Sequence, residues 1–413
     1  MNFFARYKKI FQILIFLVLV VILGWLLWRT FFATTINLSP SPNATSTLGN
    51  LPSAGTGQGN IINTTTGELL PGAANQNGGP EGGANNLAVG GLTKTSSLNS
   101  NPSLGPTLAA DGTSVQYYNQ NDGKFYKIDS SGSPVALSDK VFHDVQNVTW
   151  APDKNKAILV YPDGSKIFYD FSQKRQVTIP KHWEDFSFSP DSTRLVSKSI
   201  GLDIENRYLI VSSDDGTKAQ ALEEIGNNGD KVYSSWSPNG QSVAMFTRGL
   251  DFDRQEVFFV GLNGENFKST IIEGRGFAST WSPTGDRLLY SVYSSSNNMN
   301  PSLWLVNAQG EAIGSGRTDL GLNTWSSKCT FAGNDKVYCA VPEDLPQGAG
   351  LFPELADQTK DDLYAIDLKT GQKKLIAVPD GSYNISQIMV SNNQKNLYFT
   401  DKKNQQLYKV NLS

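Results

Sequence analysis

Seven recurrences of one turn phrase, short alternating strands between them and almost no helical periodicity predict an all-β body over residues 106–413. The arrangement expected is a seven-bladed β-propeller of four-stranded antiparallel blades. Ahead of it, an apolar run and a low-complexity stretch predict one transmembrane helix and a disordered linker. The chain thus divides into a cytoplasmic N-terminus (1–9), a transmembrane helix (10–28), a flexible linker (29–105) and the propeller (106–413).

Composition narrows the functions on offer. Lys and Arg total 35 against 38 Asp and Glu in 413 residues, a formal net charge of −3. With no basic block anywhere, binding of nucleic acid through bulk positive charge is excluded. Two histidines and two cysteines are too few for Cys-rich zinc sites, iron–sulfur clusters or disulfide-dense scaffolds.

From Ile10 to Trp28 the sequence is apolar apart from Gln12 and Gly24. As a helix this run reaches roughly 30 Å, the thickness of one hydrocarbon core. Arg6, Lys8 and Lys9 precede it and only Arg29 follows closely, the next cation being Lys94. Positive charge stays on the cytoplasmic side, so the propeller is expected outside a single-pass cell-membrane anchor. The run exceeds the apolar core of a cleaved signal peptide, and Thr30–Thr34 offers no small-x-small cleavage site.

Between Thr35 and Pro106, 48 of 72 residues are Gly, Asn, Ser, Thr or Pro, and none is aromatic. Such a segment buries too little apolar surface to offset its ordering entropy, so it reads as a spacer.

The repeated phrase is an aromatic residue, a Ser-Pro-Asp-Gly-like turn and an alternating strand. It reads Trp150-Ala-Pro-Asp153, Phe188-Ser-Pro-Asp191, Trp236-Ser-Pro-Asn-Gly240 and Trp281-Ser-Pro-Thr-Gly285. Weaker copies begin at Leu108, Phe331 and Val390. These seven blade anchors are spaced by 42, 38, 48, 45, 50 and 59 residues, the period of a propeller array. Proline presets φ at the second turn position, Asp or Asn followed by Gly suits the reversal, and the ring fills the wedge between blades. The seventh unit stops after its third strand, near Gln406–Asn411, so its outer strand is expected from the end of the linker, around Gly90–Thr95. Three degenerate copies leave the blade count open between six and eight.

The Trp/Phe-Ser-Pro-Asp/Asn-Gly phrase resembles the repeat of TolB-type and related Trp-Asp-repeat-like propellers, also found in prolyl-oligopeptidase-class enzymes. The likeness spans about 106–413. In TolB-type members the module is a binding platform in periplasmic protein complexes, and the resemblance implies the same role here. The peptidase class adds an α/β-hydrolase domain, and no Gly-x-Ser-x-Gly elbow occurs in this sequence.

In a propeller, the loops from second to third strand gather on one face with the blade-to-blade connections. His143-Asp144 and His182-Trp183-Glu184-Asp185 fall on such connections. Two second-to-third loops share a pattern, Gly201-Leu-Asp203-Ile-Glu205 and Gly249-Leu-Asp251-Phe-Asp253. Convergence of these groups would form an acidic, His-containing patch suited to Ca²⁺ or to acid–base work, and hence to a propeller hydrolase or lyase acting on a glycan or ester. The alternative is an ordinary solvated rim with no cofactor.

The sixth unit carries a long loop between Ala340 and Asp361 in which Leu351 and Phe352 suit partner docking, unless they fold back onto their blade. Cys329 and Cys339 flank the turn of this unit. If Phe331 faces Val337 they face each other and can form a disulfide; otherwise they are two buried thiols. The leading expectation is an outward-facing propeller that binds another envelope protein or a surface polymer. An envelope sensor or assembly scaffold is the further alternative.

Overall fold

The computed structural model describes residues 16–26, 83–129 and 131–413. The chain forms two compact units, residues 1–77 and 78–413. In the first, residues 16–26 are α-helical. The remainder of the expected membrane span and most of the expected linker lie outside the described residues. Among the described residues no helix is long and apolar enough to cross a membrane.

The second unit is a seven-bladed β-propeller. The first blade holds Ser103–Leu108, Val115–Asn119, Lys124–Ile128 and Pro134–Ala136, in that order from the axis outward. Five more blades repeat this antiparallel order, with inner strands at Asn147–Trp150, Trp183–Phe188, Val232–Ser234, Arg275–Trp281 and Cys329–Phe331. The seventh contributes Ile385–Val390, Asn396–Asp401 and Leu407–Asn411. Six of the seven sequence anchors end their inner strands; Trp236 instead lies two residues beyond Ser234.

The rings fill the wedges between blades. Trp150 packs edge-on against Phe125 of the first blade, and its indole N–H donates to Gly105 O at 2.7 Å. Trp281 likewise reaches back one blade, donating to Ser235 Oγ at 2.9 Å. Four of the seven turn phrases are also locked by a serine, whose role the sequence does not announce. Buried Ser189, Ser237, Ser282 and Ser391 each accept the backbone N–H five residues later: Arg194, Ser242, Arg287 and Asn396. The residue four positions after the anchor is left-handed in six blades; Gly112, Gly240 and Gly285 meet that demand freely, whereas Lys154, Ser192 and Gln394 bear it as strain.

The ring closes through its N-terminal strand, but not at Gly90–Thr95. Ser96–Ser97 is the outer strand of the seventh blade, antiparallel to Lys409 and Tyr408. Leu92–Thr93 instead runs parallel to Val378 and Pro379 as a fifth strand on the sixth blade. The head therefore begins before the expected boundary at residue 106: backbone hydrogen bonds, together with burial of Leu98 among Val115, Met389 and Leu407, recruit this segment. Phe331 does face Val337, Cys329 faces Cys339, and the two cysteines form a disulfide.

Candidate functional site

The face that gathers the second-to-third-strand loops is knitted together by contacts between neighbouring blades. Asp253, in the fourth blade's loop, accepts the Ser295 N–H of the fifth at 2.7 Å, and its carboxylate also takes the Ser295 hydroxyl. Asn384, on the connection into the seventh blade, donates to Ala356 O and Thr359 O of the sixth at 2.6 and 3.0 Å.

The predicted polar residues lie on this face but work singly. Asp185 accepts the Ser234 N–H at 2.8 Å and stands 3.3 Å from Lys198 Nζ, joining the third blade to the fourth. Asp251 pairs with Arg254 at 2.6 Å; that guanidinium holds its carboxyl below the usual range. Asp203 precedes the short turn Ile204–Asn206, and its side chain lies 3.5 Å from Asn206 Nδ2. Glu184 lines a cleft with Asn147, Thr149 and Lys166. His143, Asp144, His182 and Glu205 are exposed. Asp144 and Asp185 both have positive φ, at 57° and 56°. Among the described residues no three His, Cys, Asp or Glu side chains come together to hold a metal ion.

What the face does concentrate is exposed apolar surface. Leu202 is 99% exposed, Phe252 72% and Phe352 53%, and Ile204, Leu250, Leu351 and Leu355 are exposed beside them in the same three loops. Single exposed apolar residues need no explanation, but seven on the loops of one face do. Leu202, Ile204, Leu250 and Phe252 are the apolar positions of the repeated Gly201–Glu205 and Gly249–Asp253 patterns, so the sequence signal was present but was carried by the residues beside the acids. The second-to-third loops of blades three to six (201–206, 250–253, 294–300 and 343–360) carry eight carboxylates against one cation, Lys360.

The long loop of the sixth blade resolves the choice left open by its sequence: its backbone folds down while its apolar tips point out. Gly348 and Gly350 donate to Asn298 O and Met299 O of the fifth blade at 2.9 and 2.8 Å, and Ala349 is fully buried. Pro353–Ala356 forms a short 3₁₀ turn that buries Ala356. Asp357 pairs with Lys402 of the seventh blade. Leu351, Phe352 and Leu355 are thereby presented on a scaffold fastened to three blades.

No protein-family model matches the chain, and no curated protein matches it in sequence. Among solved structures, the β-propeller domain of Myceliophteria thermophila Cps50 (Swd1) is similar with a TM-score of 0.51 at 11% identity, covering 77% of this chain and 100% of that one. The oligogalacturonate lyase of Vibrio parahaemolyticus gives 0.48 at 12% identity, over 77% and 93%. An oligogalacturonate lyase in complex with manganese gives 0.48 at 13%, again over 77% and 93%. At such identities the likeness is one of fold, and the fold it shares is the β-propeller.

Proposed function

We propose that this chain is a membrane-anchored binding module of the cell envelope, held by residues 10–28 with its N-terminus in the cytoplasm and its propeller outside. The observation that carries the binding role is the set of apolar tips, Leu202, Phe252, Leu351 and Phe352 foremost, raised on loops of one face. Exposed rings and branched chains cost solvation free energy unless something covers them, and rigid loops reduce the ordering entropy of association. The occupant is another envelope protein, TolB-type propellers being the resemblance that supports it. The anchor reading rests on the apolar run and on the cations placed before it.

Photo-crosslinking in intact cells tests the docking face. A benzoylphenylalanine placed at position 252 or 352 is expected to yield an adduct with one envelope protein, and the same group at position 239, in a first-to-second-strand turn on the opposite face, is not. Equal adducts from both faces, or none from either tip, would sink the reading. Protease added outside intact cells is expected to remove the head; protection until lysis would reverse the assigned topology.

A further inference from the structure

A crevice opens between the third and fourth blades, with a volume of about 320 Å³. The fourth blade's inner strand, Val232–Ser234, is only three residues long, and no pair of stacked rings joins these two blades among the described residues. Between the first and second blades, by contrast, Phe125, Phe142, Trp150 and Phe171 interlock at centroid distances of 5.0–5.4 Å. The crevice walls are Ile225, Val232, Phe246 and Phe258, the two rings 5.8 Å apart and both partly exposed. Its size suits one aromatic side chain with its neighbours.

Charge defines the rest of the occupant. Glu223 and Glu224 both line the crevice, and neither has an ion-pair partner among the described residues. Arg248, the guanidinium stacked 5.0 Å over Phe258, is already committed to Glu256 at 2.6 Å. The crevice also adjoins the docking face: Asn228 lines it, and the turn Gly226–Asn228 packs against the turn Ile204–Asn206 that carries Ile204.

From this juxtaposition we infer that the crevice receives an aromatic side chain of the partner protein, in a segment where Lys or Arg flanks that ring. The ring packs over Phe246 and Phe258, which touch each other at 5.8 Å and together form the crevice floor, and the flanking cations meet Glu223 and Glu224. The inference rests on the docking-face reading and names the chemistry of the partner it would hold.

The test uses the full-length protein in uncharged detergent micelles. The probe is the tripeptide acetyl-Lys-benzoylphenylalanine-Lys-amide, compared with its Glu-flanked counterpart. After irradiation, adducts mapped by mass spectrometry are expected on residues 223–232 and 246–265, with the Lys peptide exceeding the Glu peptide about tenfold. The double variant Glu223→Lys, Glu224→Lys, at two exposed positions, is expected to invert that preference without shifting the thermal midpoint. Equal labelling by both peptides, adducts scattered over the surface, or an unchanged preference in the double variant would overturn the proposal. In-cell adducts from positions 252 and 352 together with an unlabelled crevice would overturn this inference alone and leave the docking face standing.

Discussion

Lys328 Nζ stands 2.9 Å from each carboxylate oxygen of Asp361, and both side chains are buried between the sixth and seventh blades beneath the long loop. Asp361 also accepts the Ile385 N–H at 2.6 Å, and the neighbouring Asn384 N–H donates to Asp401 at 3.0 Å. Burial pushes the Asp361 carboxyl up and the Lys328 ammonium down, against the attraction each offers the other.

Because desolvation works against both charges, the pair matters most when it is broken. Lys328→Met alone should cost about 3–5 kcal/mol of unfolding free energy by leaving a buried carboxylate without its cation. The double variant Lys328→Met, Asp361→Leu should recover most of that loss, short of the hydrogen bond from Ile385. Urea unfolding of both, together with the single variant Asp361→Leu, checks it: a double variant as unstable as the sum of the two singles would contradict the argument.

Acid should loosen specific turns. Burial raises the Asp111 carboxyl, but the N–H groups of Ser114 and Thr113 outweigh it and hold the pKa at about 2. Asp215 is likewise raised by burial yet held at about 2 by Thr217 and the Arg175 guanidinium, a contact joining the second blade to the third. Both folded values lie below the ordinary 3.8, so their contribution is fully present above that pH and disappears as pH falls from about 4 toward 2. The thermal midpoint should fall across that window, and replacing both residues with Asn should flatten the dependence. An equally steep profile in the double variant would place the acid sensitivity elsewhere.

Closure makes a third prediction. Without Ser96–Ser97, the strand Leu407–Asn411 would present an open edge, and without Leu92–Thr93 so would Lys373–Pro379. Deleting residues 92–97 should therefore lower the midpoint by several degrees and sharpen proteolysis of the seventh blade, because a ring held only by side-chain contacts opens first at its seam. A midpoint within one degree of the parent protein would show that the seam does not limit stability.

The contrast between what the sequence discloses and what it conceals is physical. Trp150, Phe188 and Trp281 announce their blades because a ring before a proline turn serves packing and reversal at once, both local effects. Ser96–Ser97 is silent because its strand is defined by hydrogen bonds to residues more than 300 positions away, with no apolar pattern of its own. The disulfide was legible since pairing Phe331 with Val337 fixes Cys329 against Cys339. Whether the acidic loops converge is hidden from sequence for the opposite reason: Asp185, Asp251 and Asp253 share a face, yet each finds a donor close by, and short-range hydrogen bonds decide where a carboxylate points.

Presentation of the apolar tips depends on one close approach. A Cβ added to Gly350 would stand 2.6 Å from Tyr293 Cβ and 2.7 Å from Met299 O, distances that side chains do not tolerate. Gly350→Val must therefore lift the loop from the fifth blade, breaking the bonds that Gly348 and Gly350 donate to Asn298 and Met299. The blades beneath keep their own strands and cores, so the cost should stay near 1–3 kcal/mol, the range of overpacking rather than unfolding. The specific consequence is kinetic: cleavage by a protease of low specificity should concentrate within residues 343–360, while sites in the strands remain protected. Crosslinking from position 352 should fall while that from position 252, carried on a different blade, persists. Loss of both together would mean that the loop also supports the fourth blade, a coupling for which the contacts of Gly350 with Tyr293 and Met299 give no reason.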